Sequence, residues 1–171
     1  MRPAGAIRVA ALATLALASP AAAQSPDLKD IATTMVTEIC APALPDFKSA
    51  IALGVDRGFD RLDQEPILLD DATEVTLTIV PASKTFLVLS VPALCVVSLP
   101  APKAEPYLPL AEAIAGKLGP VTGTTGSTET LTGDGMIWTI DRGGSKIDLQ
   151  LLEDHSPFGD AVIFALMDSV R

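Results

Sequence analysis

Between residues 27 and 40 the apolar side chains Leu28, Ile31, Ala32, Met35, Val36, Ile39 and Cys40 recur at every third or fourth position. That spacing lines one face of an α-helix. Ser25, Pro26 and Asp27 supply a start, with a capping oxygen and a proline in the first turn. Pro42 supplies a stop. A second helix is predicted over 107–118, where Leu110, Ala111, Ile114, Ala115 and Leu118 share a face and Gly119-Pro120 closes it. A shorter helical stretch opens at Pro45 or Asp46 and runs through Phe47, Ala50, Ile51 and Leu53, with Gly54 and Gly58 ending it.

Elsewhere the period is two. Val75, Leu77 and Ile79 alternate with Thr76 and Thr78, which reads as a half-buried strand. Residues 85–91 and 94–99 are apolar at nearly every position, as central strands are. Residues 100–106 are proline-rich and read as a short linker. After the second helix, 119–127 reads as a loose Thr/Gly loop and 128–132 as an edge strand. Met136, Trp138 and Ile140 then share one face of a strand, as do Ile147, Leu149 and Leu151 of the next. Trp138 on such a stripe reads as core packing and not as a ligand platform. Residues 155–160 read as a turn and 161–167 as a last, buried strand. Tight turns between consecutive strands imply antiparallel pairing. The predicted class is α+β: an antiparallel sheet of about six to seven strands, with two main helices on one face. The order helix-then-meander occurs twice, without a matching sequence repeat.

The first residues change the picture of the N-terminus. Arg2 and Arg8 precede an apolar run over 9–18, and Ala21, Ala22 and Ala23 follow it. This is the order of a cleaved secretory signal, and the run is too short to span a bilayer. With no Arg-Arg pair and no cysteine near the site, a Sec-type signal over 1–23 is expected, followed by one exported domain over 24–171, periplasmic or secreted. That domain carries 10 of the 12 basic residues and all 21 acidic ones, a net charge of −11. Such a charge argues against nucleic acid or an anionic membrane as partner and admits a basic protein or a small ligand. There is no asparagine and hence no N-glycosylation site.

Export also gives meaning to the two cysteines. Cys40 ends the buried face of the first helix and Cys95 lies on a predicted central strand, so a helix-to-sheet disulfide is expected. Two separately buried thiols are the alternative. The chain has no G-x-S-x-G, C-x-x-C, H-E-x-x-H, phosphate-loop or dinucleotide motif. Its single histidine, His155, falls in a predicted turn. The acidic segment Asp56, Asp60, Asp63, Glu65, Asp70, Asp71 and Glu74 lacks calcium-loop spacing and reads as a solvated face. No catalytic residue, metal site or cofactor is therefore assigned from sequence. The expected function is a non-catalytic binding or accessory module, such as an inhibitor, immunity factor or envelope accessory. The alternative is a small exported hydrolase that uses carboxylates with help from His155. Intact-mass measurement of the exported protein is expected to find residues 24–171 alone; a mass that retains residues 1–23 would overturn the signal assignment.

Overall fold

The computed structural model describes residues 27–45, 47, 49–61, 67–68, 74–80, 85–90, 94–127, 135–156 and 159–169. The expected signal region and the predicted strand at 128–132 lie outside them. So do Asp63, Glu65, Asp70 and Asp71. Among the described residues, no helix is long and apolar enough to cross a membrane.

The first helix, α1 (Leu28–Thr34), is capped by Asp27, whose carboxylate accepts the Lys29 N–H at 2.9 Å. It continues as a π-helical turn, Met35–Cys40, and a 3₁₀ turn, Ala41–Ala43, so Pro42 tightens the helix instead of stopping it. The hydroxyl of Thr37 donates to the Thr33 carbonyl at 2.7 Å, a side-chain bond that competes with the helical ladder where the winding changes. The predicted face is buried from Ile31 onward: Ile31, Ala32, Met35, Val36, Ile39 and Cys40 lie in the core, and Leu28 at its start is partly buried against it. The short helix α2 (Ala50–Asp56) starts later than expected and runs through the buried Gly54. It is tied back to the π turn by an ion pair between Arg57 and Glu38. A 3₁₀ turn, Glu105–Tyr107, leads into α3 (Leu108–Leu118).

The strands are β1 (Asp60–Arg61), β2 (Ile67–Leu68), β3 (Glu74–Val80), β4 (Thr85–Ser90), β5 (Leu94–Leu99), β6 (Val121–Ser127), β7 (Gly135–Asp141), β8 (Lys146–Ser156) and β9 (Gly159–Asp168). They form one antiparallel sheet in the order β1-β3-β4-β5-β9-β8-β7-β6, with β2 also on β3. The α+β class holds. The strand count of six to seven does not, for two reasons. The acidic segment between Asp56 and Glu74, expected to be a solvated face, contributes β1 and β2, both paired to β3. The Thr/Gly stretch expected to be a loop is the edge strand β6. Threonine has the β-branched shape a strand favours, and an edge position tolerates glycine.

The sheet has a loose two-fold order about its middle. Each half runs helix, edge strand, then a three-strand meander, and the last strands, β5 and β9, pair with each other. The register places Cys95 opposite Leu166, Val97 opposite Phe164 and Leu99 opposite Val162. Leu149 and Leu151 of β8, and Trp138 and Ile140 of β7, follow on the same face. All are buried in one cluster with α1, its π turn and α3. Trp138, 3% exposed, is part of that packing. Tyr107 meets Phe164 edge-on at 6.2 Å, and the Lys29 ammonium lies 5.9 Å from the centre of the Tyr107 ring. Gly119 is required at the end of α3, because a Cβ there would lie 2.5 Å from the Asp141 carbonyl oxygen.

Cys40 and Cys95 form the expected disulfide, with Cα atoms 5.8 Å apart and 55 residues between them. Both are fully buried. Closing a loop of this length removes unfolded-state entropy, and a native disulfide contributes about 2–4 kcal/mol. The double variant Cys40→Ala/Cys95→Ala is expected to lose about that much stability in denaturant titration. The wild-type protein, unfolded without reductant, is expected to show no free thiol.

Candidate functional site

The longest strand, β8, carries the site. Its core-facing residues follow in steps of two: Ile147, Leu149, Leu151, then Glu153 and His155. The first three are buried under the helices, and the last two continue the same face where it emerges. His155 is therefore not in a turn, as its neighbours in sequence suggested, but near the end of a strand and paired across to Asp160 of β9. The acidic run Glu153-Asp154 directly precedes it in the chain. The alternation that begins at Ile147 continues through it, and that period was the available signal.

A cavity of about 220 Å³ lies where this face emerges. Leu151 and Glu153 of β8 form one wall and Gly135 and Met136 of β7 another. Ala104, Glu105 and Leu108, at the entry to α3, close the third side. The walls are apolar apart from the two carboxylates. Gly135 fits tightly against β8, since a Cβ there would lie 2.8 Å from the Leu151 carbonyl oxygen.

Glu153 joins the cavity to its surroundings. One carboxylate oxygen, Oε1, accepts the N–H of the buried Ala104 at 2.7 Å. A buried backbone donor needs a partner, and an ionised acceptor makes a strong one. The other oxygen, Oε2, lies 3.4 Å from His155 Nε2. His155 Nδ1 is 2.9 Å from Asp160 Oδ1. The imidazole thus stands between two carboxylates, Asp160 held closely and Glu153 loosely. The hydrogen bond its Nδ1–H donates to Asp160 is the main reason its pKa is raised above 6.5, with Glu153 adding to it and desolvation opposing. Tyr107, packed in the core against Phe164, has its phenol pKa raised by burial and then by the charge of Asp27.

The residues lining the cavity include no serine, threonine, cysteine or lysine, so it holds no side-chain nucleophile of those types. Among the described residues, no group of three or more His, Cys, Asp or Glu side chains is arranged to hold a metal ion. The acidic segment does not converge where it is described: Asp56 ends α2, Asp60 begins β1 and Glu74 opens β3. Comparison with protein-family models, with curated proteins and with solved structures found no match for the chain.

The imidazole makes a specific prediction. A group whose pKa is higher in the folded than in the unfolded state contributes stability below its unfolded value. That contribution fades as pH rises through the folded value. The contribution of His155 is therefore complete below about pH 6.5 and lost above its raised pKa. The chain has one histidine, so its imidazole carbon-bound proton gives one titration curve. The midpoint is expected above 6.5 in the wild type and lower in Asp160→Asn, and an unchanged midpoint in that variant would overturn the pairing.

Proposed function

We propose that this protein is a non-catalytic, exported binding module and that the cavity at the emerging end of β8 is its ligand seat. One observation carries this reading: an apolar cavity edged by two carboxylates, at the end of a core built otherwise for packing. Binding sites combine such walls with a few placed polar groups. The buried disulfide and the lack of a membrane-crossing helix among the described residues fit an oxidising compartment. Export itself rests on the pattern of the first 23 residues. The acidic surface, with a net charge of −9 over the whole chain, would draw a basic protein partner with salt-sensitive kinetics.

The second reading, a carboxylate hydrolase, is favoured by the Asp160–His155–Glu153 array. A carboxylate next to an imidazole can activate water. It would act without a nucleophile on the cavity wall.

The two readings separate in one set of measurements. Methyl-resolved NMR during a screen of small apolar and amphiphilic fragments is expected to show shifts at Leu108, Met136 and Leu151. Leu108→Trp, which fills the mouth, is expected to abolish these shifts while the remaining spectrum stays folded. A screen without any such shift would overturn the binding seat. Turnover of ester, amide or glycoside substrates that disappears in Glu153→Gln and His155→Ala, with the fold intact, would replace the module reading with the hydrolase.

A further inference from the structure

We infer that the cavity selects small organic cations: an apolar body of about six to eight carbons carrying a primary ammonium, which binds Glu153 Oε2 in place of His155. The inference rests on the cavity being the ligand seat and adds the chemistry of the ligand.

Volume sets the size of the body. A dry apolar cavity of about 150 Å³ takes up benzene, and this one is about 220 Å³. A short alkyl chain or a single ring with a short arm fits. Leu108, Met136 and Leu151 supply the walls. Each methylene buried there is expected to improve binding about fourfold, from about 0.8 kcal/mol per group.

Charge sets the head group. Both ionisable residues on the cavity wall are carboxylates, Glu105 and Glu153, and no lysine, arginine or histidine lines it. Glu105 is exposed and forms no ion pair among the described residues. Glu153 has one oxygen committed to the Ala104 N–H. Its other oxygen faces an imidazole nitrogen at 3.4 Å, beyond the length of a good hydrogen bond. Of the two carboxylates Glu153 is the less exposed, so its free oxygen is the less screened by solvent. An ammonium brings three donors and a full charge, whereas a carboxylate ligand would meet two like charges. The small volume leaves a guanidinium or a bulky quaternary head less room than a primary amine.

Competition with His155 gives the inference its signature. The groups around the imidazole are Glu153 on its own strand and Asp160 on β9, with Glu105 across the cavity and Asp154 on the opposite face of β8. A protonated imidazole shares Glu153, and a neutral one releases it. Binding of the cation is therefore expected to strengthen as pH rises through the titration of His155. By reciprocity, the bound cation lowers the imidazole midpoint.

Hexylamine hydrochloride, hexanol and sodium hexanoate test this on the purified exported protein, with the Met136 methyl signal and the single imidazole signal as readouts. Hexylammonium is expected to shift Met136 at about tenfold lower concentration than hexanol, as one charge-assisted contact contributes. Hexanoate is expected to bind more weakly than either. Hexylammonium should lower the His155 midpoint, and hexanol should leave it in place. Glu153→Gln retains an oxygen for the Ala104 N–H, and in this variant most of the advantage of hexylammonium over hexanol should be lost, leaving only what the exposed Glu105 supplies. Equal binding of hexylammonium and hexanol to the wild type, or tighter binding of hexanoate, would overturn the inference while leaving the cavity as an apolar seat. No Met136 shift with any of the three would remove the seat itself, and the inference with it.

Discussion

The pairing of β5 with β9 is the joint on which the molecule depends. Each half, a helix followed by an edge strand and a meander, has a sheet face it cannot cover alone. Antiparallel pairing of Leu94–Leu99 with its partner strand sets Cys95, Val97 and Leu99 beside Leu166, Phe164 and Val162. Six side chains from two distant parts of the chain then form one continuous apolar strip. The period of two makes the register all-or-none: a slip of one residue would turn every member of the strip to the opposite face. The helices from both halves bury this strip, and the disulfide fixes the first of them to its centre through Cys95.

The same joint explains how the two helices come to share a core. The 3₁₀ turn before α3 places Tyr107 against Phe164 of the central strand, while Lys29 of α1 reaches over the same ring. Arg142, in the β7–β8 hairpin, donates to the Ala41 carbonyl at 3.2 Å, where the first helix ends. A cation at a helix C-terminus meets both unpaired carbonyls and the negative end of the dipole. Contacts of this kind cross between the halves, so neither half packs as a separate unit.

Much of this arrangement was legible in the sequence because it follows from two periods. The buried face of the first helix and the bounds of β5 came directly from spacing, as did Trp138 in the core and the twofold recurrence of helix and meander. The disulfide followed from placing one cysteine on each of two buried surfaces. The misses have a common cause, which is reliance on composition where pattern governed. Residues 121–127 are threonine and glycine with one valine and one serine, a loop by composition, yet they extend the sheet because β7 offers an unpaired edge. Pro42 was expected to stop a helix, but a proline near the start of a new 3₁₀ turn loses no helical bond. His155 falls in the predicted turn because its neighbours are polar, although the strand's alternation carries through Glu153 to His155. The pairing of Glu153 with the Ala104 N–H joins residues 49 apart and has no local signature at all.

Length explains why the site lies where it does. The strand β8 has 11 residues, about 36 Å at the usual rise for an antiparallel strand. The helix that covers it, α3, also has 11 residues but is only about 16 Å long. A strand covered by a helix of equal residue count must outrun it. The core-facing side of β8 therefore changes character along its length: Leu149 and Leu151 are buried, Glu153 is half-buried and His155 is exposed. The chain segment entering α3 crosses this surplus surface without filling it, and the gap it leaves is the cavity. In the first half the corresponding helix is extended by a π turn and a 3₁₀ turn and is fixed by the disulfide. In the second half the single 3₁₀ turn Glu105–Tyr107 precedes α3, and Glu105 edges the cavity without filling it. The mismatch in length is thus also what brings a carboxylate, Glu153, to the wall of an apolar cavity, with an imidazole beside it on the same strand face.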